Sequence, residues 1–113
     1  MNVVAAVALA VFLFVNGAVH FVRPHYVRSL VPAWLGHAQL LVAAGGVGLF
    51  AVGGLLLIPP TRVFAAWCAA AMIAVFLVAH VDAFGRQRRF VGVLNIVLNV
   101  AYIAWAVAVA LVS

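Results

Sequence analysis

Apolar residues run through this chain in four long blocks, at positions 3–22, 38–58, 63–82 and 90–112, and polar side chains gather mainly between or near their ends. Each block holds about the 20 residues that a helix rising about 1.5 Å per residue needs to cross a hydrocarbon core about 30 Å thick. The pattern predicts an all-α fold. It is a single integral membrane domain over residues 1–113, a bundle of four transmembrane helices.

The breaks between blocks have local causes. Arg23-Pro24 ends the first helix, because proline lacks an N–H and disfavours helix in the residue before it. Pro59-Pro60 ends the second and predicts a tight turn. In the long first connection Tyr26, Leu30 and Trp34 recur four apart, with Val27 and Val31 beside them. That spacing predicts a short interfacial helix between helices 1 and 2, its aromatics at headgroup depth. Pro32 should divide it into two pieces.

Composition narrows the class. Hydrophobic residues make up 71% of the 113 and charged residues 6%, too few charges to cover a soluble globule. The net charge of +5 comes from six arginines that flank the apolar blocks, so it reads as a topology signal and implies no nucleic-acid partner. Arg23 and Arg28 lie in the first connection, Arg86, Arg88 and Arg89 in the third, and Arg62 alone in the second. The positive-inside rule then predicts a bacterial inner membrane protein with loops 23–37 and 83–89 cytoplasmic and both termini outside. The all-Arg, Ala/Val-rich usage hints at a GC-rich bacterial genome. The first block lacks a basic leader and is too long for a signal-peptide core, so it reads as a retained helix.

Polar residues inside the blocks form the candidate site. Asn16, His80 and Asn95 each fall roughly 9–10 Å inward of a flanking arginine, with His20 shallower and Asn99 deeper. Asn95, Asn99 and Tyr102 share one helix face at i, i+4 and i+7. All belong to the cytoplasmic half, which predicts one polar pocket made by Asn16, His20, Arg23, His80, Asn95 and Asn99, with Arg23 and Arg28 at its rim. Three roles stay open: hydrogen bonding between helices, which is the commonest use of such groups; binding of a lipid, quinone or other amphiphile; and proton handling by His80 with Asp82. Asp82 is the only acidic residue, and Arg86 stands four positions later, the favourable order for a helical ion pair.

Small residues predict close helix contacts. Gly45, Gly48 and Gly53 in the second block and Ala66 and Ala70 in the third are expected to offer packing faces, at least one of them to a partner subunit. Metal binding is not expected: His20, His25, His37 and His80 are dispersed, with no i, i+4 pair. Cys68, the lone cysteine, rules out an intramolecular dithiol and reads as a packing residue. No nucleophile has a recognisable base beside it, so no catalytic residue is assigned.

The run Gly17-Ala18-Val19-His20-Phe21, then Pro24, Tyr26, Val31-Pro32 and Trp34-Leu35, resembles the start of the DoxX-like family of small four-helix membrane proteins. Gly53-Gly54-Leu55-Leu56-Leu57-Ile58-Pro59-Pro60-Thr61-Arg62, followed by Ala65-Ala66-Trp67, resembles that family's turn between helices 2 and 3. The resemblance covers about 17–76. It implies a four-helix membrane scaffold, linked in some members to quinone, thiol or oxidative-stress chemistry. The chain departs from the family at Leu49, where an acidic residue is common, and at Leu77-Val78-Ala79, where Pro-Ala-Asn is common. Both departures remove polar groups.

These readings lead to one expectation and one rival. The expectation is a non-catalytic accessory or stabilising subunit of a larger inner-membrane complex, such as a lipid or hydrophobic-substrate uptake transporter. It needs no cofactor, and its partners are membrane lipids and other integral membrane subunits. The rival, implied by the resemblance, is a quinone- or lipid-binding component of a membrane oxidoreductase system.

Overall fold

The structure, a computed structural model, describes residues 2–113. It contains α1 (Asn2–Val22), α2 (Pro24–Leu30), α3 (Ala38–Leu56), α4 (Arg62–Ala83) and α5 (Arg89–Val112). Three short 3-10 turns join them, at Ala33–Leu35, Pro59–Thr61 and Phe84–Arg86. The helices α1, α3, α4 and α5 are each long and apolar enough to cross a membrane. The molecule's long axis of 39 Å spans a hydrocarbon core of about 30 Å with a margin at each end.

Both predicted prolines act at the first break. Arg23 takes a non-helical conformation (φ −124°, ψ 56°), and Pro24 starts α2 as its first residue, where its missing N–H costs nothing. Pro32 separates α2 from the following 3-10 turn. The chain then reverses into α3 through two positive-φ residues, Gly36 (65°) and His37 (50°). Glycine accepts such a φ freely.

The second helix ends earlier than the apolar pattern suggests. Leu57 and Ile58 belong to the turn, their N–H groups donating to the carbonyls of Gly54 and Leu55. Ile58 is extended (ψ 113°), as expected of a residue before proline. Carbonyls at the end of α3 also accept from the next two polar residues. Thr61 Oγ1 donates to Leu55 O at 2.8 Å, and Arg62 Nε donates to Leu56 O at 2.8 Å. A charge-assisted bond at a helix end is worth about 1.5–3 kcal/mol. Arg62→Leu should therefore lower stability by about 1.5 kcal/mol, read as a shift in the dodecyl-sulfate unfolding midpoint in mixed micelles. An unchanged midpoint would show that the cap contributes nothing.

The four spans form two antiparallel pairs. The α1 helix packs mainly on α3, and α4 mainly on α5, with thinner contacts between the pairs. Glycines set the first pairing. A Cβ on Gly17 would sit 3.2 Å from the Gly46 carbonyl and 3.3 Å from Leu49 Cβ. Phe14 lies over Gly53 and Phe21 over Gly46, and both rings stack on Phe50 at centroid distances of 6.2 and 6.0 Å. The second pairing is set by alanines and by Phe84, whose ring fills the space above Gly92.

The core occupies one end of the bundle. Ala6, Leu9, Ala10, Leu13, Leu49, Leu56, Ala65, Ala66, Ala69, Ala106 and Val109 are buried there. Alanines and leucines lie inside, and residues such as Val11, Phe64, Val75 and Val97 face outward. Lipid tails are as apolar as these side chains, so close backbone approach must hold the helices together. A Trp105 indole N–H donates to Ala5 O at 3.3 Å, and Phe12 meets Tyr102 at 4.3 Å between ring centroids. These contacts tie α5 to α1.

The small residues expected to offer close contacts are engaged within the bundle. Gly53 lies under Phe14, Gly48 faces the Met72 methyl, Gly45 faces His20, and Ala66 and Ala70 are buried among the chain's own helices. All five are used internally. Periodicity groups such residues on one face but does not say which helix covers it.

Candidate functional site

At the end opposite the alanine core, the two helix pairs enclose a cavity of about 720 Å³. Its size is typical of small-molecule sites, which run from about 300 to 1,000 Å³. The α2 helix and the turn after it close its end, contributing Tyr26, Leu30, Val31 and Trp34 to the lining. The walls are largely apolar, with Phe12, Val19, Met72, Phe76 and Leu98 among them. Leu41 and Ala44 of α3 and Val75 and Val78 of α4 also line it while exposed at the molecular surface. The cavity is therefore partly open to the outside of the bundle.

Five of the six residues expected at a polar pocket line this cavity: Asn16, His20, His80, Asn95 and Asn99. Arg23 does not. It is exposed at the break between α1 and α2, outside the lining. The reason is local, since the turn forced by Pro24 swings residue 23 off the inward face of α1. Arg28 is also outside the lining, and its guanidinium donates to His25 on α2 at 2.5 Å.

His20 and Asn99 are the most buried of these polar groups, at 7% and 8% exposure. Each is oriented by its own helix. His20 Nδ1 donates to the Asn16 carbonyl at 2.8 Å, which leaves Nε2 as the acceptor of the neutral ring. The imidazole rests between Gly45 and the Phe76 ring, 5.8 Å away by centroid. A Cβ on Gly45 would lie 3.3 Å from Nε2, so the missing side chain makes the room for His20. Asn99 Nδ2 donates to the Asn95 carbonyl at 2.7 Å, leaving its own oxygen as an acceptor.

Two other polar atoms at the cavity have no protein partner. Asn95 Nδ2 and His80 Nδ1 are both buried and unbonded. Buried polar groups are nearly always satisfied, and an unsatisfied one costs about 1–3 kcal/mol. They stand on the two helices of the α4–α5 pair, His80 in the last turn of α4 and Asn95 in α5.

Asp82 is not part of this group. It accepts from Arg86 at 2.9 Å in an ion pair on the surface, the pairing expected from their spacing. It does not line the cavity, so the sequence-based pairing of His80 with Asp82 for proton handling is not formed. Partly exposed pairs of this kind contribute at most about 1 kcal/mol. Among the described residues no three His, Cys, Asp or Glu side chains come within reach of a common metal ion.

Sequence reasoning did not place Phe12, Met72 or Phe76 at the site, and it put Tyr102 on the face of Asn95 and Asn99 without assigning it to the pocket. A signal existed for α4. Met72, Val75, Phe76 and Ala79 follow the spacing of one helix face, and all four line the cavity.

The fold and site define a class: a small all-helical membrane protein of four spans, tightly packed at one end and hollow at the other. Within it, the chain belongs to the family described as a domain of unknown function (DUF8561), whose model matches residues 9–110. No curated protein and no solved structure gives a match.

Proposed function

We propose that this protein is a non-catalytic membrane component that holds one amphiphilic molecule, of lipid or quinone type, in the cavity under α2. The observation that carries this reading is the two buried, unpartnered polar atoms, Asn95 Nδ2 and His80 Nδ1, on residues that line a largely apolar cavity of about 720 Å³. Apolar walls with a few convergent polar groups are the usual design of a small-molecule site. A partly open cavity suits a ligand that arrives through lipid. The DoxX-like resemblance points the same way, since some members of that family are linked to quinone chemistry.

The accessory-subunit reading stands second. One of its grounds, the glycine and alanine faces, is engaged by the chain's own helices. Small size still favours it, and a host complex for lipid or hydrophobic-substrate uptake would suit a subunit that holds an amphiphile.

The test is purification of the tagged protein from its native membrane in mild detergent, followed by identification of what travels with it. One amphiphile per chain is the expected result. A stoichiometric protein partner and no small molecule would replace this reading with the accessory subunit.

We further propose a bacterial inner membrane location with the cavity end in the cytoplasm. Five of the six arginines lie in the two connections at that end. A reporter fused to Ser113 should be active only outside the cell. Cytoplasmic activity would invert the topology.

A further inference from the structure

We infer that the ligand's head is uncharged and carries a hydroxyl or similar group able both to accept and to donate a hydrogen bond. This rests on the ligand-binding reading above and specifies its chemistry. Asn95 Nδ2 can only donate and is unbonded and sealed from water, so a head that reaches it through a small turn of the amide must offer it an acceptor. His20 Nε2 and the Asn99 oxygen are acceptors, oriented by the bonds their partner atoms make to Asn16 and Asn95. They call for a donor on the same ligand.

The second observation is the absence of countercharge. Among the described residues no Asp, Glu, Lys or Arg side chain lines the cavity. An ionised head drawn into it would lose its hydration and meet no opposite charge, which is the most costly kind of burial. The arginines at this end of the bundle lie outside the lining, and Arg28 is engaged with His25. A neutral head keeps full hydrogen bonding without that cost. Such a head sits beside Asn95 and His80, with its tail running past Val75 and Phe76 toward the opening.

Three amphiphiles with one tail and different permanent charges test this: oleyl alcohol, oleyl sulfate and oleyltrimethylammonium. Each is titrated onto the purified chain in a non-ionic detergent, and adducts are counted by native mass spectrometry. The alcohol should bind one per chain, about tenfold or more tighter than either ion, a difference of about 1.4 kcal/mol or more. Asn95→Leu should weaken the alcohol about tenfold and leave the ions nearly unchanged, so that the preference disappears. The ranking in the unaltered chain carries the test even if that variant does not fold. Tightest binding by oleyl sulfate, lost in Arg23→Gln or Arg28→Gln, would put the head at the arginine rim and overturn the inference. Equal binding of all three, abolished together by filling the cavity, would overturn it while leaving the ligand-binding reading intact. Retention of none of them would remove both.

Discussion

Leucine in place of Gly17 should break the pairing of α1 with α3 and destabilise the protein by about 3 kcal/mol or more. Overpacking a tight contact usually costs about 1–3 kcal/mol, and this position belongs at the upper end. A Cβ at Gly17 already meets a backbone carbonyl, Gly46 O, at 3.2 Å, and Leu49 Cβ at 3.3 Å. Neither is the free tip of a side chain, so neither can swing aside, and the helices must separate. Separation would also lift Phe14 from Gly53 and Phe21 from Gly46. Burial in lipid cannot compensate, because leucine is equally comfortable against lipid tails. Gly54 supplies the control. Nothing lies within 4 Å of a Cβ placed there, and Gly54→Ala should be neutral or stabilising by about 0.5–1 kcal/mol through helix propensity. Unfolding midpoints in dodecyl-sulfate mixed micelles compare the two. Equal midpoints for Gly17→Leu and the unaltered protein would mean that glycine contact does not hold this pair.

The second large effect is expected on ligand retention. Ala79→Phe should reduce binding at the cavity by about 100-fold or more, equivalent to about 2.7 kcal/mol, while the fold persists. Ala79 lies on the cavity face of α4, one turn from Val75 and Phe76 and beside His80. A phenyl ring there occupies the space in which a tail would lie, and it does so without touching the alanine core at the far end. Helix content and the unfolding midpoint should stay close to those of the unaltered chain. Full retention of a co-purified amphiphile by this variant would place that molecule elsewhere, on the outer surface of the bundle.

Much of this architecture is legible in the residues because in a membrane each backbone group must be satisfied within its own helix. Apolar length and the positions of Pro24, Pro32 and Pro59 thus locate four spans and an interfacial segment. The polar side chains were equally visible, since Asn16, His20, His80, Asn95 and Asn99 stand out in apolar surroundings. What the residues do not encode locally is their neighbour across a gap. Gly45, Gly48 and Gly53 can be grouped by helical period, yet only the packed bundle pairs them with His20, Met72 and Phe14. The hollow itself has the same origin. It arises where the two helix pairs fail to meet, and no single residue marks a failure to meet. Arg23 was misplaced for a smaller reason: the backbone turn at Pro24 changes its direction within one residue.

The division of the bundle into a filled end and a hollow end also gives it a direction. The alanine and leucine layers from Ala6 to Leu13 and from Ala65 to Ile73 fill the end away from α2. On the ligand-binding proposal, a molecule held under α2 would exchange with the leaflet at that end. The proposed role is then that of a reservoir or a presenter facing one side of the bilayer.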